Sequence, residues 1–326
     1  MIGFPQRMVW VLLCVLMYAP LYAQETVSLD REFALSSAND AFVLWQNSDR
    51  FYSFGFGAHL RFKKERFLGL QDIFIKREDY FFELGVRLEG YTPTNKEVTQ
   101  MDIQGNTVSF DRPFAGLLYG TLGATYAFER SFVRGKLLLG VLGPSSMADD
   151  FQGWFHRNIT NDPVFDEWRF QVPDQGVLNT DITYGYDFMP YAKVLNIYGA
   201  LNARLGNLYI DTSPTLGFRV GKFKKLSKSI AMGNNILSDS NETEFFLQTA
   251  IKGTITMFDA TAQGNLFHRQ FEHAIADLSN FHTTFSQSLY FSIRWFSMGV
   301  EHYFTFRKVV PKETHAFARI LLKYRF

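Results

Sequence analysis

Gln152 and His156 stand four residues apart in GPSSMADDFQGWFHRN (143–158), between large aromatics. On a helix that spacing puts both on one face, a turn apart, with Asp149 on the same side a turn earlier. Histidine exchanges a proton near neutral pH, which makes His156 a candidate general base. A second polar group is the pair Asn39–Asp40 in SSANDAFVLW (36–45). Neighbours on a regular strand face opposite ways, so only a strand end or a bulge lets both residues work together. The same pair is also an ordinary turn signal. Ser53, in DRFYSFG (49–55), adds a hydroxyl, and DRPFAGLLYG (111–120) sets a charged pair and a proline just before a strand.

These residues need elements to hold them. Pro144, Ser145 and Ser146 read as a helix start, Asp149 and Asp150 suit a first turn, and the signals run over 144–160. Met147, Phe151 and Phe155 are spaced by four and form an apolar face that would seat against its support. Almost everything else alternates. In SFGFGAHLRF (53–62), Phe54, Phe56, Ala58, Leu60 and Phe62 oppose Ser53, Gly55, Gly57, His59 and Arg61. DYFFELGVRLEGY (79–91) and VLNTDITYGYDF (177–188) repeat the pattern, as do the stretches 243–258, 285–304 and 315–326.

Two architectures accommodate many amphipathic strands. In a soluble sandwich the apolar faces pack together, whereas in an outer-membrane barrel they meet lipid around a polar lumen. The apolar faces here are crowded with Phe and Tyr. The opposite faces carry Arg, Glu, Asp and Gly, which a dry core would reject. The chain also ends on a strand with a terminal Phe326, like the signal that bacterial outer-membrane barrels present to their insertion machinery. The reading is a closed antiparallel outer-membrane β-barrel of about twelve strands, with one short helix beside the site.

Composition agrees. Aromatics make up 17% of the chain, with 35 Phe, yet mean hydropathy is only −0.09. A net charge of +1 offers no bulk attraction for nucleic acid. Arg7, the apolar run MVWVLLCVLMYAP (8–20) and Ala23 read as a secretory signal cleaved after residue 23, leaving one domain over 24–326. The run is too short for a comfortable membrane-spanning helix. Cys14, the only cysteine, lies inside that signal after the bulky Leu13, which argues against a lipidation site and leaves the mature chain without disulfides.

In order, ND (39–40), DRFYSFG, YTPTN (91–95), DRPFAGLLYG, LGVLGPSSMADDFQGWFHRNI (139–159) and DEWRFQ (166–171) resemble the lipid A 3′-O-deacylase family (LpxR-type) of Gram-negative outer membranes. The motifs span 38–171, under half the chain, and the block from 139 to 159 is the most specific. The resemblance implies a twelve-stranded barrel in the bacterial outer membrane, acting as a monomer. It implies a calcium-dependent hydrolase that removes the 3′-acyloxyacyl group from the lipid A of lipopolysaccharide. The family's Asn-Asp pair matches Asn39 and Asp40, with Asp40 as a calcium ligand. Its hydroxyl residue, usually threonine, matches Ser53, and its catalytic histidine matches His156. Its glutamate six residues later falls on Asp162, one methylene shorter, so Asp166 or Glu167 is the alternative second carboxylate.

Ester hydrolysis requires a base, an oxyanion partner and, for calcium, oxygen ligands. Water activated by His156 is favoured over Ser53 as nucleophile, and Asn39 or Ser53 could meet the oxyanion. Other readings stay open: an outer-membrane phospholipase-type esterase, a non-enzymatic barrel, or a soluble ligand-binding sandwich. RFKKER (61–66) and GKFKKLSK (221–228) read as solvated turns or as sites for lipid A phosphates. Trp154 and Trp168 read as lipid-facing or as ordinary packing.

Overall fold

A computed structural model of the chain describes residues 29–43, 51–93, 112–160, 164–238, 242–268, 278–306, 308 and 314–326. The expected signal segment and Asp162 lie outside these residues. Twelve strands form: β1 (Arg31–Asn39), β2 (Phe54–Phe62), β3 (Asp79–Tyr91), β4 (Ala115–Ala127), β5 (Ser131–Leu142) and β6 (Gln175–Asp187). They continue as β7 (Leu195–Gly206), β8 (Tyr209–Lys222), β9 (Glu244–Asp259), β10 (Phe281–Ser292), β11 (Phe296–Phe306) and β12 (Thr314–Arg325). Each pairs antiparallel with its sequence neighbours, and β1 pairs with β12, from Glu32 opposite Arg325 to Asn39 opposite Ala318, to close the barrel. Closure leaves no edge strand with unpaired backbone groups, which hydrocarbon would not tolerate.

The period-two pattern sorts the side chains as expected. Leu35, Leu84, Val86, Leu178, Ile182, Leu201, Leu247 and Ile251 stand exposed on the outer wall. Inside, charges pair. Arg61 donates to Glu32 at 2.7 Å and to Glu83 at 2.5 Å, and Lys136 donates to Glu83 at 2.5 Å.

The two ends differ. The β2–β3, β4–β5, β6–β7, β8–β9 and β10–β11 connections share one end with both strand termini. Here the chain from Leu226 to Leu237 folds into the lumen as three short 3-10 turns. Asn235 donates to Glu32 at 2.5 Å and accepts from Lys323 at 2.6 Å, while Arg134 donates to the Met232 carbonyl at 2.6 Å. Ile230, Ile236 and Leu237 are buried. RFKKER and GKFKKLSK both lie at this end, away from the helix. Arg61 is buried in the lumen, and Lys63 pairs with Asp79 at 2.9 Å.

Arg61 therefore neutralises two buried carboxylates. Arg61→Ala should destabilise the barrel by about 3 kcal/mol, because it removes the cation that Glu32 and Glu83 share and leaves them to Lys323 and Lys136. The check is the temperature at which the folded, fast-migrating gel species is lost, which should fall. An unchanged midpoint would mean that the network contributes nothing to stability.

Candidate active site

The opposite end carries the β1–β2, β3–β4 and β5–β6 connections; Asp40, Ser53, His156, Asp166 and Glu167 lie in them, and Asn39 ends β1. The β5–β6 connection leaves the wall at Gly143, where φ is 107° and an added Cβ would lie 2.8 Å from the Asp174 backbone. Only glycine fits that approach without strain. Asp174 then accepts from the Ser145 N–H at 2.7 Å and from its hydroxyl at 2.9 Å, tying the two feet of the loop together. A 3-10 turn (Pro144–Ser146) leads into helix α1 (Ala148–Phe155), and His156 opens a π-helical turn over His156–Thr160. The expected single helix over 144–160 is therefore three helical types in series. Wide turns of this kind recur at functional sites.

Helix α1 packs outside the barrel. The Phe151 ring lies 5.5 Å from Phe54 and 5.0 Å from Phe56, both on the outer row of β2. Gly90, opposite Phe54 on β3, makes room: a Cβ there would strike the Phe54 ring at 2.1 Å. Of the expected apolar face, Phe151 does the seating, while Met147 is exposed. Trp168 belongs to the core of this assembly. It packs 5.2 Å from Phe114 and donates from Nε1 to Gln152 Oε1 at 2.7 Å, so Gln152 anchors α1 to the 166–170 turn. Trp154 alone of the two tryptophans stays half exposed.

His156 is buried, with its ring edge against Phe165, centroids 5.6 Å apart. Phe165 joins the cluster of Phe54, Phe114, Phe151 and Trp168. Asn39, the last residue of β1, sits opposite Phe54 on the row that also carries Phe33, Leu35 and Ser37, so it faces outward. Asp40 leaves the strand into a 3-10 turn (Asp40–Phe42) and is 1% exposed; its N–H donates to the Ser53 carbonyl at 3.4 Å. A strand end, then, resolves the question posed by the adjacent pair. Phe42 and Val43 pack on Ala316, Ala318 and Phe304. Helix α1 rests on β2 and the 40–43 turn on β12, so the end of β1 lies between them, and this stretch of outer wall is the candidate cleft.

Ser53 is buried, donates its N–H to the Gly90 carbonyl at 3.0 Å, and shares a 2.5 Å hydrogen bond with the Thr92 hydroxyl. Neither Asp166 nor Glu167 makes a side-chain hydrogen bond to His156. Sequence reasoning missed two residues. Thr92 stands in YTPTN, and Arg112 stands in the DRPFAG motif. Arg112 donates to the Phe51 carbonyl at 3.0 Å and the Thr261 carbonyl at 3.0 Å, and lies over the Tyr91 ring. It pins three rim connections together. Tyr52, beside Ser53, accepts from Arg87 at 2.7 Å, and burial pushes its phenol up to about 12, so it stays protonated and is no rival base.

Among the described residues no three His, Cys, Asp or Glu side chains converge as a metal site. A cation at Asp40 would be completed by amide, carbonyl and hydroxyl oxygens, the donor chemistry that suits calcium.

The family model for the outer membrane protein LpxR matches residues 9–326. The chain belongs to the LpxR family. LpxR-family proteins are outer-membrane β-barrels and lipid A deacylases. Among solved structures, LpxR from Salmonella typhimurium superposes with a TM-score of 0.73 at 14% identity, over 90% of this chain and 100% of that one. The β domain of the Bordetella autotransporter BrkA follows at a TM-score of 0.43 and 10% identity, over 91% of this chain and 99% of that one. No curated protein sequence matches the chain.

Proposed function

We propose that the protein hydrolyses the ester linking the 3′-acyloxyacyl group of lipid A, with His156 as general base. The observation that carries this reading is the placement of α1. Its buried histidine packs on Phe165, which joins the cluster on Phe54 of the outer wall, and Phe54 lies opposite Asn39 in the β1–β2 register. An ester at the head of an acyl chain in the outer leaflet would lie at that wall, outside the lumen.

In the proposed reaction His156 takes a proton from water as the water oxygen attacks the ester carbonyl. The tetrahedral oxyanion meets the amide of Asn39. Collapse expels the sugar 3′-oxygen, which takes the proton back from the imidazolium. The products are the free acyloxyacyl acid and a 3′-hydroxyl. Asp162 is the proposed orienting carboxylate for His156. Asp40 is the proposed calcium ligand; bound calcium would supply Lewis acidity to the ester carbonyl.

Water is the better nucleophile because the Ser53 hydroxyl is engaged with Thr92, which makes Ser53 part of the wall that supports Asp40. The test is mass spectrometry of lipid A from a Gram-negative host with unmodified lipid A expressing the full chain. Loss of the 3′-linked acyloxyacyl mass supports the reading. Intact lipid A beside a correctly folded barrel, with fatty acid released from phospholipid instead, would establish the phospholipase-type alternative.

A further inference from the structure

Below the cleft the outer wall is not smooth. Two rows of lipid-facing side chains cross β12, β1, β2 and β3 at this level. The upper row reads Ile320, Ser37, Phe56, Leu88, and the lower row reads Leu322, Leu35, Ala58, Val86. Each row has one short side chain, Ser37 above and Ala58 below, on adjacent strands. Their taller neighbours leave a furrow of about 440 Å³ between them, lined by Leu35, Phe56, Ala58, Val86, Ile320 and Leu322.

The furrow continues the cleft. Asn39 stands two residues above Ser37 on the same outward row of β1, and Phe56, which borders the furrow, is also where Phe151 of α1 rests. From Asn39 down to Leu35 the strand falls about 13 Å. The path starts at the amide of the proposed site and runs into the hydrocarbon layer along an apolar floor. A sugar or phosphate would find few partners there, whereas an alkyl chain would find close walls on both sides.

We propose that this furrow seats one hydrocarbon chain of the acyl group that is released, and that Ala58 and Ser37 set the chain accepted. The inference rests on the ester-hydrolase reading of the cleft. Inside a bilayer a furrow gains no hydrophobic driving force over surrounding lipid, so selection must come from shape and van der Waals fit. Filling the furrow should therefore act by exclusion, more strongly as the chain lengthens.

The experiment uses the full chain in detergent and lipid A analogues that differ only in the length of the 3′-linked chains. Ala58→Phe should lower kcat/KM on the long-chain analogue about tenfold and change the short-chain value by less than about twofold. Ile251→Phe, an exposed lipid-facing position on β9, is the control and should leave the long-to-short ratio at the wild-type value. Ala58→Leu serves if the phenylalanine variant fails to fold, which its gel mobility reports. A ratio in Ala58 variants equal to that of Ile251→Phe overturns the inference.

A second arm does not need turnover. His156→Ala protein is irradiated with lipid A carrying a diazirine at the end of its 3′-linked chain. Crosslinks concentrated within 33–37, 54–60 and 84–88 support the furrow, and crosslinks spread around the wall overturn it. If the wild type cleaves no analogue while crosslinks still concentrate there, the hydrolase reading fails and the furrow stands.

Discussion

His156→Ala should lower the rate of lipid A deacylation by about 10²–10⁴-fold, the range expected for loss of a general base. It should leave the barrel folded, because His156 lies in the β5–β6 connection, packs on Phe165 and takes no part in strand pairing. The measurement is the time course of 3′-acyl loss from purified outer membranes, with the gel mobility shift as the folding control. KM should change little, since in the proposed mechanism the imidazole acts on water and the wall binds the lipid. Activity within threefold of wild type would remove His156 from the mechanism. Ser53→Ala separates the two nucleophiles. If water attacks, the variant loses only the support that the Ser53–Thr92 pair gives to the rim, and no acyl-enzyme accumulates. If Ser53 attacks, the loss matches that of His156→Ala and a covalent acyl adduct forms in the wild type.

The parts of this molecule that face lipid were the most legible in its sequence. A strand in a barrel wall has no freedom about which residues are apolar, so Phe54, Phe56, Ala58, Leu60 and Phe62 announce both the element and its outer face. The strand end at Asn39–Asp40 was legible only as a choice between a wasted residue and a break, because the local pattern is the same for both. Helix α1 was visible from its spacing, but amphipathicity reports that one face is covered and is silent about what covers it. Packing of Phe151 on Phe54 and Phe56, which places the histidine outside the barrel, depends on the absence of a side chain at Gly90 on a different strand.

The turns that fill the lumen are illegible for a similar reason. Their 3-10 segments are too short to carry any period, so GKFKKLSK reads as a solvated turn or a phosphate site. In the folded chain Lys224 is buried and donates to Ser238 at 2.9 Å, and the Ser229 and Ile230 groups are held by the buried Glu244. Arg112 was passed over because it resembled a strand-leading charge. Its guanidinium does what no local pattern encodes, joining connections far apart in sequence at Phe51 and Thr261.

Asp40→Ala should abolish calcium-dependent activity and, separately, calcium-dependent stabilisation. In the wild type, calcium at about 100 times its Kd should raise stability by about 2.7 kcal/mol, seen as a later thermal midpoint than in chelator. In Asp40→Ala the two midpoints should coincide, since on the proposed reading the buried carboxylate at the head of the 40–43 turn would supply the charge that holds the ion. Asn39→Ala should keep most of the calcium shift but lose turnover, because the proposed role of its amide is to meet the oxyanion, a species present only during reaction. That contrast tests the division of labour between two adjacent residues. A calcium shift that survives in Asp40→Ala would place the ion elsewhere, and Asp40 would then act only through its hold on the Ser53 carbonyl and the rim turn.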